Sequence, residues 1–201
     1  SLVRLPWRQM PTAAVQVSMH PTEGLPATPA DPRQLLIRVI EQLEAEGYYP
    51  VMACELEFYL LDQKRDAQGR PQPALDADGG RPRQTQVYGL RELEQIEPFL
   101  RDLYMACKAQ GIPARTAISE YAPGQVEITL EHGPALAAMD QAVRYKRLVK
   151  GVAHAHGMQA CFMAKPFAEI AGTGMHMHVS LADAQGNNLF ASEDPAGTPL
   201  L

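Results

Sequence analysis

Positive charge is scarce in this chain. Eighteen Lys and Arg stand against 23 Asp and Glu, for a formal net charge of −5 and a pI near 5.7. A chain without a basic footprint is poorly suited to nucleic acid, so no nucleic-acid partner is expected. No apolar run reaches the ~20 residues that span a bilayer, and no leader pattern opens the chain, so no membrane partner is expected. Cysteine is also sparse. Cys54, Cys107 and Cys161 are an odd number, stand singly in apolar surroundings and lack metal-type spacing, so they are expected to be reduced core residues of a cytoplasmic protein. Also missing is the GxxxxGK(S/T) loop, so any nucleotide would have to be held by sheet residues and metals. No internal repeat is present. What remains, at 201 residues and 46% hydrophobic, suffices for a real core in one or two domains.

Against those absences, one stretch stands out: Gly172-Thr173-Gly174-Met175-His176-Met177-His178-Val179-Ser180-Leu181. Read with period two it is a half-buried strand. His176, His178 and Ser180 fall on one face, and Met175, Met177, Val179 and Leu181 on the other, which is expected to sit on a core. A second strand is predicted over Pro50 to Asp62, with Cys54, Leu56, Phe58 and Leu60 facing a core and Glu55, Glu57 and Tyr59 facing away. Carboxylates two residues apart on a strand point the same way at roughly 7 Å and repel each other unless solvated or paired. A solvated acidic edge and a ligand pair for a divalent cation both satisfy that pattern. A third acidic element is Glu120, followed by the turn sequence Tyr121-Ala122-Pro123-Gly124 and a strand over 125–130 that carries Glu127 opposite Val126 and Ile128. Glu120 and Glu127 thus flank a bend and can converge.

The remaining elements are expected to be packing elements. A short strand is predicted around 13–17, and 21–29 is a loop. Asp31-Pro32 opens a helix with an N-cap carboxylate and a proline at its first position, Leu35, Leu36, Val39, Ile40 and Leu43 give its apolar stripe, and Gly47 ends it. A polar run over 63–88, rich in Gly and Pro, is predicted to be a long flexible loop or one that orders over a site. Helices are predicted over 91–110, with Pro98 opening or kinking the main part, and over 134–156, with Leu136, Met139 and Val143 beginning the buried stripe. Arg144, Lys146, Arg147 and Lys150 form an exposed basic face, and His154 and His156 suit the negative end of the helix dipole. A last alternating strand spans 158–165 before Pro166. The fold class expected is α+β: a curved, mostly antiparallel sheet whose acidic face is the site floor, with helices packed outside.

Four carboxylates and a histidine strand, each opposite a hydrophobic face, form an oxygen-rich donor set that suits Mg²⁺ or Mn²⁺. Two such ions bridging phosphate oxygens are the usual apparatus of phosphoryl transfer. A metal-dependent hydrolase would use the same carboxylates but lacks a separate general base.

At this level of detail the motifs resemble a known family. Glu55-Leu56-Glu57-Phe58-Tyr59-Leu60 resembles the ExEFxL strand of glutamine synthetases, and Ser119-Glu120-Tyr121-Ala122-Pro123-Gly124-Gln125-Val126-Glu127-Ile128 is similar to their SEYAPGQxEI segment. Lys165-Pro166 with the 172–181 stretch resembles their KP…GSGMHxHxSL segment. The resemblance runs from about Trp7 to the end. It implies that the γ-carboxylate of glutamate attacks the γ-phosphate of ATP, and that an amine then displaces phosphate from γ-glutamyl phosphate. It implies two Mg²⁺ or Mn²⁺ sites, one held by Glu57, Glu120 and Glu127 and the other by Glu55 and His176, with Glu120 and Glu127 also serving the chemistry. It further implies that His178 and Ser180 contact ATP and that the Gly172 backbone contacts glutamate.

Two positions depart from the ammonia-using pattern. Ala171 stands where those enzymes usually carry asparagine, and Thr173 replaces serine. With Tyr121, these favour the branch that glutamylates polyamines or other organic amines, with an ammonia-using glutamine synthetase as the alternative. A non-catalytic scaffold of the same fold is the reading from another class, but all five expected metal ligands are present. The family also carries a small N-terminal β-rich domain and a further C-terminal portion, neither recognisable in this sequence. The chain, which does not open on methionine, is therefore expected to be part of a catalytic domain that assembles, when whole, into a homo-oligomeric double ring.

Overall fold

The computed structural model describes residues 2–19, 23, 30–84 and 86–192. The predicted 21–29 loop therefore lies almost wholly outside the described residues. A small antiparallel pair, β1 (Leu2–Arg4) and β2 (Ala13–Val15), precedes α1 (Pro32–Ala45). The main sheet is built on β3 (Tyr49–Asp62), whose 14 residues serve as its spine. On one side β3 pairs with β5 (Gln125–Leu130), itself paired with β4 (Ala114–Ser119), and with the two-residue β6 (Gly133–Pro134). On the other it pairs with β7 (Met158–Cys161) and β8 (Met175–Ala182). Every pairing is antiparallel.

The alternation of β3 decides where the core lies. Cys54, Leu56, Phe58 and Leu60 are buried against α3 (Glu97–Ala109) and α4 (Ala135–Ala155), together with Phe99, Leu103, Ile128, Leu148 and Val149. Phe58 meets Phe99 edge-on, with ring centroids 6.3 Å apart. The opposite face of β3 carries Glu55 and Glu57. This is the expected α+β arrangement, an antiparallel sheet with helices on one face and carboxylates on the other.

The helical stretch expected over 91–110 divides into α2 (Leu90–Glu94) and α3, and Pro98 opens the main part as expected, in its first turn, where a missing N–H costs nothing. Three details differ from the sequence reading, each because periodicity chooses a face without saying what covers it. In α4 the buried stripe is Ala135, Ala138, Ala142, Tyr145, Leu148, Val149 and Val152, whereas Val143 is exposed. Alanine here lets the helix approach the sheet closely. Helix α1 has its Asp31 N-cap, donated to by the Arg33 amide at 2.9 Å, yet buries no residue fully, and Leu35 and Val39 are exposed. Finally, Met175, Met177 and Val179 share the core face of β3, opposite Leu56, Cys54 and Met52, but are about half exposed, because the helices do not extend over β8.

Candidate active site

Strand register builds the acidic face. Directly paired residues in an antiparallel ladder project to the same side, with Cβ atoms roughly 4.5–5.5 Å apart. Glu57 is paired with Glu127 of β5, and Glu55 with His176 of β8. Two pairings on either side of one spine therefore bring three carboxylates and an imidazole to one patch. Ligand atoms of Glu55, Glu127 and His176 all lie within 4.8 Å of one another. Glu55 stands between two imidazoles, with His176 Nδ1 3.4 Å from one oxygen and His178 Nε2 3.1 Å from the other. That tightest group takes Glu127 from one of the two ligand sets expected from the sequence, and Glu55 and His176 from the other.

Glu120 joins the patch through the turn that follows it. Its amide donates to the Gln125 carbonyl at 3.0 Å, and the Gln125 amide donates to the Ala122 carbonyl at 3.0 Å, closing a tight loop. Gly124 makes this turn possible, with φ at +77° and its carbonyl accepting from the Leu60 amide at 2.8 Å. Both Glu120 and Glu127 are buried, at 8% and 6% relative exposure. Burial pushes the Glu127 carboxyl up to about 7, with the Glu55, Glu120 and Glu57 charges adding to the effect. Burial also raises Glu120, with Glu57 the next cause.

Beneath the carboxylates, the loop before β8 is fastened to the sheet. Tyr59 is fully buried, meets Phe167 edge-on at 5.2 Å and donates its hydroxyl to the Ala171 carbonyl at 2.5 Å. Gln125 Nε2 donates both to Glu57 Oε2, at 2.7 Å, and to the Gly172 carbonyl, at 2.8 Å. The Thr173 amide donates to the Ala164 carbonyl at 2.9 Å, and a Cβ at Gly172 would stand only 2.5 Å from that same oxygen. Glycine is required there by the close approach. Ser180, the other residue expected near nucleotide, donates its hydroxyl to Asn188 Oδ1 at 2.8 Å.

A family model described as the glutamine synthetase catalytic domain matches residues 29–200. The chain belongs to the glutamine synthetase family. It is 42% identical over 187 residues to a gamma-glutamylputrescine synthetase of Escherichia coli (strain K12), covering 92% of this chain and 39% of that one. It is 33% identical over 195 residues to a glutamine synthetase of Thermotoga maritima, covering 96% of this chain and 42% of that one. A solved structure of a GmaS/ADP complex superposes with a TM-score of 0.75 at 29% identity, covering 98% of this chain and 43% of its own. The chain thus spans about two fifths of the length of the relatives it matches.

For a member of the glutamine synthetase family, the donor set fits a divalent cation on its own chemistry. Buried carboxylates forced together, one of them held up to about 7, are a charge imbalance that a hard cation removes. Glu55, Glu57, Glu120, Glu127 and His176 would hold such ions.

Three further residues at the site escaped the sequence reading. Tyr88 ends the 63–88 segment in a left-handed conformation, φ 61°, and its amide donates to the Ser119 carbonyl at 2.9 Å. Its hydroxyl is raised by the neighbouring Tyr121 and Glu120, so the segment delivers an exposed tyrosine to the rim of the carboxylates. No sequence spacing marks it, since 32 residues separate it from Glu120. The second is Gln125, visible only as a letter of the motif. The third is His132, which lines a cavity of about 400 Å³ with His178, Ser180 and Asn188. A separate cavity of about 460 Å³ lies beside β7 under Lys146, Lys150 and Phe162, away from the carboxylates. Among the described residues no helix is long and apolar enough to cross a membrane.

Proposed function

We propose that this chain supplies the acidic face of an ATP-dependent ligase that joins the γ-carboxylate of glutamate to an organic amine, a polyamine foremost, through γ-glutamyl phosphate. The observation that carries the reading is the convergence of Glu55, Glu127 and His176 within 4.8 Å, with Glu57 and Glu120 beside them, on the sheet of a glutamine synthetase family member. Bound Mg²⁺ or Mn²⁺ would neutralise charge on the ATP phosphates, including the charge that builds on the leaving ADP as the γ-phosphoryl group passes to the carboxylate.

The chain's own residues set the rest of the geometry. Glu55, Glu57, Glu120, Glu127 and His176 are the metal ligands in this reading. His178 and Ser180 take the nucleotide, in the cavity they share with His132. The Gly172 backbone, held down by Gln125 and the close contact with Ala164, takes glutamate. Glu120 and Glu127 face the incoming amine, and a carboxylate there can accept the proton that the amine releases. Tyr88 and Tyr121, both about two thirds exposed, add aromatic faces to the carboxylate rim, a combination suited to an alkylammonium.

The preference for an organic amine rests on three supports: the similarity to a gamma-glutamylputrescine synthetase, Tyr121, and an alanine at 171, where only a methyl group is offered. The ammonia-using alternative keeps the same ligands and differs only in the acceptor. A cytoplasmic, homo-oligomeric double ring is the assembly that accompanies this reading. The test is ADP release by the full-length protein with Mg²⁺, ATP and glutamate, adding ammonium, putrescine, spermidine or ethanolamine in turn and weighing the products. A γ-glutamyl amide of putrescine or another organic amine is expected. Glutamine formed from ammonium alone would select the alternative, and no ADP release with any acceptor would remove the ligase reading.

A further inference from the structure

The side chain of Gln125 joins two parts of the site that lie far apart in sequence. It is buried, at 3% exposure, and its Nε2 sits between Glu57 Oε2 and the Gly172 carbonyl, 2.7 and 2.8 Å away. A donor placed between two acceptors fixes the amide orientation, because the flipped form would set Oε1 against a carboxylate oxygen and a carbonyl. The backbone of Gln125 is pinned as well, by the register that pairs it with Tyr59 and by the turn that ties it to Glu120 and Ala122. The other oxygen of Glu57 is confined from the loop side. A Cβ at Gly174 would stand 2.7 Å from Oε1, and the Gly174 carbonyl accepts from the Glu57 amide at 3.2 Å. Glu57 is thus held by the amide of Gln125 on one oxygen and by the Gly174 backbone against the other.

We infer that Gln125 is a positioning residue that couples the Glu57 carboxylate to the 172–174 loop, so that cation binding on the acidic face and the placement of the Gly172 backbone are set together. The inference rests on the reading above of Glu57 as a cation ligand and Gly172 as the glutamate contact. Without the amide, Glu57 regains rotamer freedom and the Gly172 carbonyl loses a charge-linked partner. A cation that draws on Glu57 then no longer orders the loop. Partners of this kind, one bond removed from a metal, change affinity by about 10–100-fold when lost.

Gln125→Met keeps length and volume and removes the donor. Mn²⁺ binding by calorimetry and hydrogen exchange of the 172–174 amides, each with and without Mn²⁺, would be measured on the full-length wild type, Gln125→Met, Glu57→Gln and the double variant. The wild type is expected to slow exchange at 172–174 when Mn²⁺ binds. Gln125→Met should weaken Mn²⁺ about tenfold, speed exchange at 172–174 and abolish the Mn²⁺-dependent slowing. The double variant should bind no more weakly than Glu57→Gln alone, since Gln125 acts through Glu57. If Gln125→Met does not fold, Gln125→Asn keeps a buried amide too short to reach both acceptors, and the same results are expected. Wild-type affinity and exchange in either Gln125 variant, or strictly additive losses, overturn the inference while Glu57→Gln still weakens binding. If Glu57→Gln leaves Mn²⁺ binding unchanged, the cation reading falls and takes the inference with it.

Discussion

Glu127 combines the two pressures that shape this site, burial and proximity to like charge. Its carboxyl rises from an ordinary 4.5 to about 7, so near neutrality in the cation-free state it carries a proton about half the time. A divalent ion requires it deprotonated, which gives a linkage with a definite sign. Mn²⁺ affinity, measured by titration calorimetry, should strengthen by about tenfold per pH unit below about 7 and level off above it. The cation-free protein should show the reverse in stability. An acid whose folded value is raised contributes stability that is fully present below 4.5 and lost as pH rises through about 7. Between pH 5 and 8 the melting temperature should therefore fall, and added Mn²⁺ should restore it. Glu127→Gln, which cannot ionise, should lessen this fall, leaving the part due to Glu120, and remove most of the Mn²⁺ binding. A melting temperature that is flat or rising over that window in the wild type would show that Glu127 titrates normally.

At the level of elements, the site depends on turns and register more than on any single strand. The Glu120–Gln125 turn needs Gly124 twice over, for its positive φ and because a Cβ would lie 3.0 Å from the Leu60 carbonyl. Gly124→Ala should cost about 1–2 kcal/mol or more, read as a lower urea midpoint with an unchanged slope. An unchanged midpoint would mean that the turn can be rebuilt without glycine. Elements of this sort were the most legible part of the sequence. Alternation over 50–62 assigned both faces of β3, and the Asp31-Pro32 start and the turn at 121–124 were visible in their residue chemistry. Coverage was not legible. The alanine stripe of α4 is buried and Val143 is not, because close helix–sheet approach selects small residues that a hydrophobicity pattern undervalues. The apolar face of β8 is exposed for the complementary reason, since nothing in its own alternation records where α3 and α4 end.

Across the whole molecule, motifs named the carboxylates and histidines, but contacts between distant segments supplied the remainder. Tyr88 reaches the rim through a long Gly- and Pro-rich segment, and Gln125 ties β3 to the loop before β8. Neither relation has a spacing that a linear reading could detect. Met175, Met177 and Val179 are exposed, so on that side of the sheet the described residues leave apolar surface uncovered. In the proposed reaction the acidic face serves attack of the glutamate γ-carboxylate on ATP. The most direct test supplies the full-length protein with ATP, an amine acceptor and glutamate labelled with ¹⁸O in its γ-carboxylate, and weighs the released phosphate. One labelled oxygen per phosphate is predicted, because the attacking carboxylate oxygen leaves with the phosphate when the amine displaces it. Unlabelled phosphate, released alongside a γ-glutamyl amide or with none, would rule out that attack.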